Sequence, residues 1–254
     1  MILDRIVETK RKEIAGMKAG RGALEKELAS PDLTVIAEIK RASPSRGVIE
    51  KGLEPDKRLD AYVRGGARAV SVVTEGSFFH GKAETLRDLR AKTDLPILRK
   101  DFIIDPIQLY ESRFLGADAV LLIASVLKQE DLLEMLGAAV SIGLEALVEV
   151  HCEEELRMVL DTPARLVGIN NRDLSDFSVD LGVTERLMDV LRDLEPRGRR
   201  LIVAESGVAS PEDALFLAQC GVNGILVGSY LVETMEPEGR IEEILERVGS
   251  HGSR

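Results

Sequence analysis

Eight short apolar runs, separated by helix-like stretches, limit how this chain can fold. The runs are close to continuous rather than alternating, which is typical of parallel strands covered on both faces. Eight strand–helix units are the number that closes a parallel barrel. The competing fold, an open doubly wound sheet, has fewer strands and usually a glycine-rich dinucleotide loop, which is absent after the first run. We therefore predict an α/β fold, the (β/α)8 or TIM barrel, with strands at Leu33–Ile39, Ala69–Val73, Pro96–Leu98, Ala119–Ala124, Glu145–Val150, Leu166–Ile169, Leu201–Ala204 and Gly224–Val227.

The stretches between the runs carry helix and turn signals. Apolar residues recur at helical spacing in Leu127–Ile142 and again in Thr184–Leu194. Ser210 followed by Pro211 predicts a helix start, with a serine N-cap and a proline at the first helical position. A glycine turn suits a helix that ends directly before a strand, and three such turns occur: Gly66-Ala67-Arg68, Gly116-Ala117-Asp118 and Gly221-Val222-Asn223.

Residues 1–30 precede the first run and have the apolar spacing of a helix. We expect an N-terminal helical extension that covers the floor of the barrel or reaches toward its mouth. Neither a linker nor a low-complexity tract divides the rest of the chain. The expected organisation is one domain over residues 1–254, with the extension at 1–30 and the barrel at 31–254.

The composition excludes several classes of function. A net charge of −10 disfavours a nucleic-acid partner, because the phosphate backbone requires a basic face. The two cysteines, Cys152 and Cys220, lack the spacing of a zinc site or a disulfide framework, so no metal is expected. No run approaches the length of a membrane span, and the first residues lack the pattern of a signal peptide. We expect a cytoplasmic protein with no membrane partner.

Polar residues follow the apolar runs. In parallel barrels the chemistry lies at the C-terminal ends of the strands, so residues distant in sequence meet at one mouth. Each residue alone has a structural explanation: Lys40 would neutralise Glu38, on the same side of the strand, and Glu149 would be a solvated strand terminus. Together they exceed what stability requires and predict an active site drawn from Glu38, Lys40, Thr74, Lys100-Asp101-Phe102, Ser125, Glu149, Asn170-Asn171-Arg172, Glu205-Ser206-Gly207 and Gly228-Ser229.

The last two strand ends carry a second signal. Ser206-Gly207 and Gly228-Ser229 place small residues where barrels often bind phosphate, in the loops after strands seven and eight. Glycine lets backbone N–H groups approach an anion, and serine adds a hydroxyl donor. Either glycine alone would fit a tight turn. The pair predicts a phosphorylated small-molecule substrate.

Several of these segments together resemble the indole-3-glycerol phosphate synthases, (β/α)8 enzymes of tryptophan biosynthesis. The segment Glu38–Ser45 is similar to the signature of that family, and Leu98–Ile103 resembles its third strand end. Glu75 stands where the family more often has aspartate. The resemblance covers nearly the whole chain and includes the segments Thr74–Gly81, Leu121–Ile123, Gly168–Leu174 and Ala204–Gly207.

The resemblance implies a ribulose-phosphate-binding barrel that acts as a carboxy-lyase and needs neither a metal nor an organic cofactor. The open-chain substrate, 1-(2-carboxyphenylamino)-1-deoxyribulose 5-phosphate, closes a ring, loses carbon dioxide and then water, and yields indole-3-glycerol phosphate. This reaction requires an acid for the ketone and the departing hydroxyl, a base, and cations for the carboxylate and phosphate. The expected partners are this substrate and other enzymes of tryptophan biosynthesis.

Residue by residue, the resemblance implies that Lys100 is the general acid and Glu149 the general base. We expect burial and neighbouring cations to leave Lys100 with a proton that it can give up. The division of labour between Lys40 and Lys100 stays open. The other implied roles are hydroxyl binding by Asn170, orientation or charge balance by Glu38 and Lys40, positioning by Glu205 and Ser206, substrate contact by Ser43, Phe102, Leu121 and Arg172, and phosphate binding by Lys40, Arg172, Gly207, Gly228 and Ser229.

Three other functions compete with this one. Phosphoribosylanthranilate isomerase and the histidine-pathway isomerases are similar barrels, but they rely on Cys/Asp or Asp/Asp pairs, and the cysteines here lie outside the early strand ends. A Schiff-base aldolase also uses a lysine at a barrel strand end. A barrel that only binds a phosphorylated metabolite would be expected to lack part of the constellation.

Overall fold

Eight parallel strands close into a barrel in the computed structural model, which describes residues 8, 22–43, 47–48, 54–195, 198 and 200–252, without the side chains of residues 43, 48 and 250–252. Each strand pairs with its neighbours in the chain, and the first pairs with the last. The predicted (β/α)8 fold is therefore confirmed. The strands are β1 (Thr34–Ile39), β2 (Ala69–Val73), β3 (Ile97–Lys100), β4 (Ala119–Ile123), β5 (Glu145–Val150), β6 (Leu166–Asn170), β7 (Leu201–Glu205) and β8 (Gly224–Val227).

Helices alternate with the strands and cover the outside of the barrel. None of the helices in the described part of the chain has the length and apolar character needed to cross a bilayer. Just beyond β1, Ala42–Ser43 pairs antiparallel with Gly47–Val48. The helices are α1 (Ala23–Leu28), α2 (Pro55–Arg64), α3 (Ala83–Arg90), α4 (Pro106–Leu115), α5 (Gln129–Ser141), α6 (Glu153–Leu160), α7 (Gly182–Leu194), α8 (Pro211–Gln219), α9 (Ser229–Val232) and α10 (Pro237–Gly252).

The local signals in the sequence correspond to these elements. Ser210 accepts a hydrogen bond from the backbone of Asp213 and caps α8, with proline at the start of the helix. The turn glycines Gly66, Gly116 and Gly221 all have φ near +90°, which favours glycine. Strand β3 runs to Lys100, beyond the apolar run that predicted it, because ladder pairing continues after the side chains become polar.

Alternate residues of each strand face the inside of the barrel. On β4, Ala119, Leu121 and Ile123 belong to the interior cluster, whereas Val120 and Leu122 pack in the cluster beneath the helices. Barrel interiors are filled in layers of four residues taken from alternate strands. The odd-numbered strands supply one such apolar layer: Ile36, Leu98, Leu147 and Val203.

Helix α1 closes the floor of the barrel. Leu24 and Leu28 are fully buried and join the interior cluster. Gly224, the first residue of β8, leaves room for this helix, since a Cβ there would lie 2.6 Å from Leu28 Cδ2. The carboxylate of Glu145, at the start of β5, accepts the backbone N–H groups of Leu24 (2.8 Å) and Glu25 (2.7 Å). Residues 1–7 and 9–21 of the predicted extension lie outside the described residues.

Replacing Glu145 by alanine should detach α1 from the floor. The change removes the acceptor of two backbone N–H groups, so Glu145→Ala should lower the free energy of unfolding by about 1–2 kcal/mol, as other lost helix caps do. Burial raises the pKa of Glu145 from 4.5 to about 7, so the folded state holds this proton more tightly than the unfolded chain. The contribution of Glu145 therefore declines as the pH rises through about 7.

Urea unfolding of Glu145→Ala and the wild type should thus differ more at about pH 5 than at about pH 8. Glu134→Ala, an exposed substitution on α5, is the matched control and should change stability by less than about 0.5 kcal/mol. Equal stability of Glu145→Ala and the control at both pH values would contradict the role of this carboxylate.

Candidate active site

A cavity of about 550 Å³ opens at the carboxyl ends of the barrel strands. Its wall includes every residue to which the family resemblance assigns a role except Ser43, whose side chain lies outside the described residues. The residues that meet there come from across the sequence: Glu38, Lys40, Lys100, Phe102, Leu121, Glu149, Asn170, Arg172, Glu205, Ser206, Gly207, Gly228 and Ser229.

The strand period explains why these particular residues reach the cavity. Lys100 is two residues beyond the interior Leu98, and Glu149 is two beyond Leu147. Because side chains alternate between faces, a residue two positions past an interior one also faces inward, one layer nearer the mouth. The odd-numbered strands thus supply a charged layer above their apolar layer: Glu38, Lys100, Glu149 and Glu205.

Lys100 lies between two buried glutamates. Its Nζ is 2.7 Å from Glu205 Oε2 and 3.1 Å from Glu149 Oε2. Burial favours the neutral amine, but the negative charges of Glu149, Glu205 and Glu38 outweigh it and raise the pKa of Lys100 well above its usual range. The expectation that burial and neighbouring cations ease the loss of the Lys100 proton is therefore wrong, since the charges that dominate its surroundings are those of carboxylates.

The two glutamates that share Lys100 differ in acidity. Burial opposes ionisation of Glu149, but Lys100, His151 and a hydrogen bond with Asn170 hold its pKa well below the usual range. For Glu205, burial and the charge of Glu149 outweigh Lys100 and raise the pKa to about 7. At neutral pH, Glu149 is thus a carboxylate, while Glu205 is partly protonated.

A second ion pair lies beside the strand β8 loop. Lys40 Nζ is 2.9 Å from Glu38 Oε1. Burial raises the pKa of Glu38, but the charges of Lys40 and Lys100 overcome this effect and lower it overall. A Cβ on Gly228 would lie 2.4 Å from Glu38 Oε1 and 2.7 Å from Lys40 Nζ. The glycine therefore makes room for the pair, which borders the loop expected to bind phosphate.

The remaining polar wall consists of the loops after β6 and β7. Ser206 and Gly207 have positive φ values of 62° and 95°, so the chain turns sharply past the end of β7. The guanidinium of Arg172 donates a 2.8 Å hydrogen bond to the Phe177 carbonyl oxygen, while its backbone N–H bonds to Asn170 Oδ1 at 3.1 Å. These contacts fix Arg172 at the edge of the cavity.

An apolar wall complements the charged layer. Leu121 is buried, whereas Phe102 is 44% exposed at the mouth. The Phe102 ring lies 6.4 Å from the ring of Phe79, at an angle of 43°. This pair and Leu121 provide a surface for a planar ring.

Some polar strand ends do not reach the cavity wall: Thr74, Ser125 and Asn171. Thr74 instead hydrogen-bonds Asp101, and Asn171 bonds the carbonyl oxygens of Glu205 and Ser206. Asn171 directly follows Asn170, so the alternation along a strand turns it to the opposite face. Sequence reasoning missed Phe79 in the wall and His151 behind Glu149, although His151 is two residues past Glu149 and so on the same side of the chain.

Within the described residues, no group of three or more His, Cys, Asp and Glu side chains has an arrangement that could hold a metal ion. The positive groups near the carboxylates are lysine, arginine and histidine side chains. The arrangement places titratable side chains beside glycine-containing loops.

A (β/α)8 barrel whose mouth combines a buried lysine–glutamate cluster with glycine loops after the last two strands belongs to the class of enzymes that act on small phosphorylated substrates. Residues 3–244 match the family model of indole-3-glycerol phosphate synthase, and the chain belongs to this family. The indole-3-glycerol phosphate synthase of Petrotoga mobilis is 47% identical over 244 residues, 96% of each chain. That of Carboxydothermus hydrogenoformans is 46% identical over 225 residues, covering 89% of this chain and 84% of the relative. The expected family and its carboxy-lyase activity in tryptophan biosynthesis are confirmed.

Among solved structures, 3-hexulose-6-phosphate synthase from Salmonella typhimurium superimposes with a TM-score of 0.65. The match covers 86% of this chain and 100% of that one, at 15% sequence identity. A similarity at this level of identity shows a shared barrel fold alone.

Gly168 on β6 offers a test of how tightly the charged layer is packed. A Cβ at this position would lie 2.1 Å from Glu205 Oε1. Gly168→Ala should therefore push the carboxylate away from Lys100, reduce kcat by about tenfold and lower the free energy of unfolding by about 1–3 kcal/mol.

The matched control is Gly137→Ala in α5, where a Cβ has no atom within 4 Å. This change should leave turnover intact and raise stability by about 0.5–1 kcal/mol, because it reduces the entropy of the unfolded chain within a helix. Wild-type turnover and stability in Gly168→Ala would show that Glu205 does not need its observed position.

Proposed function

We propose that this chain carries out the reaction of its family in the cavity described above, with Lys100 as general acid and Glu149 as general base. The observation that carries the proposal is the contact of Lys100 with Glu149 within a cavity that also borders glycine loops and an apolar wall. A protonated donor and an ionised acceptor side by side are the pair that general acid–base catalysis needs.

The lining of the cavity supports one orientation of the substrate. Its aromatic ring would lie against Leu121 and Phe102, and its phosphate would lie in the loops after β7 and β8. The groups proposed to bind phosphate are the backbone N–H groups of Gly207, Gly228 and Ser229 and the Ser229 hydroxyl, with Lys40 and Arg172 as cations. Asn170 would hydrogen-bond a substrate hydroxyl between these ends.

In the proposed reaction, the aromatic carbon that bears the carboxylate bonds to the ketone carbon while Lys100 protonates the ketone oxygen. Loss of carbon dioxide then restores the aromatic ring. Glu149 next removes a proton as the hydroxyl departs as water, which receives its proton from a lysine. The donor of that second proton is Lys40 or Lys100. Ser43, Glu38, Glu205 and Ser206 are assigned to substrate contact and positioning.

The raised pKa of Lys100 restricts how it can act. It is a poor acid while Glu149 and Glu205 are both ionised. Burial and the charge of Glu149 raise the pKa of Glu205 to about 7, so protonation of Glu205 near neutral pH removes one of the anions that hold the lysine proton. We therefore assign Glu205 to tuning the acidity of Lys100.

We also propose that the protein works in the cytoplasm, because Cys152 and Cys220 are free thiols, as in a reducing compartment. Other enzymes of tryptophan biosynthesis are its proposed partners.

Removing either proposed proton-transfer group should slow the reaction. Lys100→Ala and Glu149→Gln should each lower kcat by about a hundredfold or more, the usual loss of a general acid or base. Indole fluorescence on addition of the carboxyphenylamino-deoxyribulose phosphate measures turnover, and the chain contains no tryptophan to obscure it. Lys26→Ala, an exposed lysine on the floor helix, is the control and should retain full activity. Near-normal turnover of either site variant would refute its assigned role.

Arg172→Ala should act on binding rather than on chemistry. Loss of one charge-assisted contact to the phosphate should raise KM by about tenfold or more and change kcat little. Arg186→Ala, which breaks an exposed 3.0 Å ion pair with Asp180 on the same side of the barrel, serves as the control. An unchanged KM in Arg172→Ala would remove this arginine from the phosphate site.

A further inference from the structure

His151 lies directly behind Glu149 and away from the cavity wall. Its side chain is 14% exposed, and its Nε2 is 3.2 Å from Glu149 Oε1. Lys100 contacts the other oxygen, Oε2, at 3.1 Å. The two oxygens of Glu149 thus face two different cationic side chains, one in the cavity and one behind it.

The second ring nitrogen of His151 has a carboxylate of its own. Nδ1 is 3.2 Å from Glu155 Oε2, in the first turn of α6. The same oxygen accepts the backbone N–H of His151 at 2.7 Å, which fixes it in place. With a carboxylate on each side, the ring donates through both nitrogens only as an imidazolium.

The charges around His151 favour that cation. The groups that face it are Glu149 on β5, Glu155 on α6 and Asp173 in the loop after β6. Burial favours the neutral ring, but the hydrogen bonds and charges of Glu149 and Glu155 outweigh it and raise the pKa of His151 to about 9. On its other side, Glu149 interacts through charge or hydrogen bonds with four more groups: Lys100, Asn170, Glu205 and Glu38.

The contact between His151 Nε2 and Glu149 Oε1 is short, but its angles are not those of a well-aligned hydrogen bond. Within the described residues, Nε2 has no acceptor that meets the angles of a good hydrogen bond, and Oε1 is a carboxylate oxygen in reach. Catalytic hydrogen bonds are often loose before substrate binds. A small rotation of either side chain completes this one.

We propose that His151 is a positioning residue that, as an imidazolium, fixes the orientation of Glu149 and keeps it ionised for proton abstraction. This inference rests on the proposed function, in which Glu149 is the base. With Lys100 on Oε2 and His151 on Oε1, the plane of the carboxylate is set from two sides. If Lys100 were the only cation in contact with Glu149, Oε1 of this carboxylate would have no charged partner behind the cavity.

Two substitutions separate the charge of His151 from its hydrogen bond. His151→Gln keeps a neutral N–H donor at the distance of Nε2, whereas the shorter His151→Asn does not reach Glu149. In both variants the acidic limb of the kcat/KM pH profile should move up by about one pH unit, because Glu149 loses a cation that favours its ionised form.

The two variants should differ in turnover. At neutral pH, kcat should fall by about tenfold in His151→Asn and by less in His151→Gln, with little change in KM because His151 does not border the cavity. His80→Asn is the control: His80 is exposed, and asparagine tolerates its φ of 53°. An unmoved acidic limb in both His151 variants would overturn the proposal even if kcat fell, since a purely structural role changes kcat without moving the limb.

A titration of the imidazole protons by NMR tests the ion pair without any turnover. The chain has three histidines, and the resonance lost in His151→Asn identifies His151. It should titrate near pH 9 in the wild type and at lower pH in Glu149→Gln. If His151 of the wild type titrated at the pH of an ordinary histidine, the proposal would be overturned.

The same titration separates this proposal from the proposed function. If the wild type forms no indole product while the pair titrates as expected, the proposed function fails, and the proposal that His151 positions a catalytic base fails with it. If product forms but His151 titrates normally, only the positioning role is overturned.

Discussion

The contact of one lysine with two glutamates inside the barrel mouth is the interaction on which the rest of the site depends. Lys100 on β3 bonds to Glu149 on β5 and Glu205 on β7, and Glu38 on β1 completes the same layer. Buried charges are costly unless they are paired. Burial and the charge of Glu149 raise the pKa of Glu205, because three carboxylates of the layer face a single ammonium.

That layer can exist because an apolar one lies beneath it and glycines lie beside it. The side chains directly below it on the same strands are aliphatic, so an apolar layer separates the charges at the mouth from Glu145 at the floor. Gly168 leaves space for Glu205, and Gly228 for the pair of Glu38 and Lys40. Gly228, which the sequence assigns to phosphate binding, thus also accommodates an ion pair, and Gly168 does the same within a strand.

The two ends of the barrel have separate tasks. At the floor, helix α1 covers the apolar interior and is held by Glu145. At the mouth, strand ends place charged groups around a cavity. Behind the cavity, His151 contacts Glu149 on one side and Glu155 on the other. A carboxylate at the start of β5 therefore supports the fold, while one at the end of β5 is assigned to chemistry, although both belong to the same strand.

The sequence by itself determined the eight strands, the Ser210 helix cap, most of the residues that face the mouth, and the family. All of these depend on local patterns: continuous apolar runs, alternation along a strand and motifs of a few residues. Alternation alone even accounts for Asn170 turning inward and Asn171 outward. Only the tertiary structure decided that carboxylates rather than cations surround Lys100 and that Phe79 meets Phe102. These contacts join residues of different strands and loops. Their distances depend on how the strands are staggered when the barrel closes.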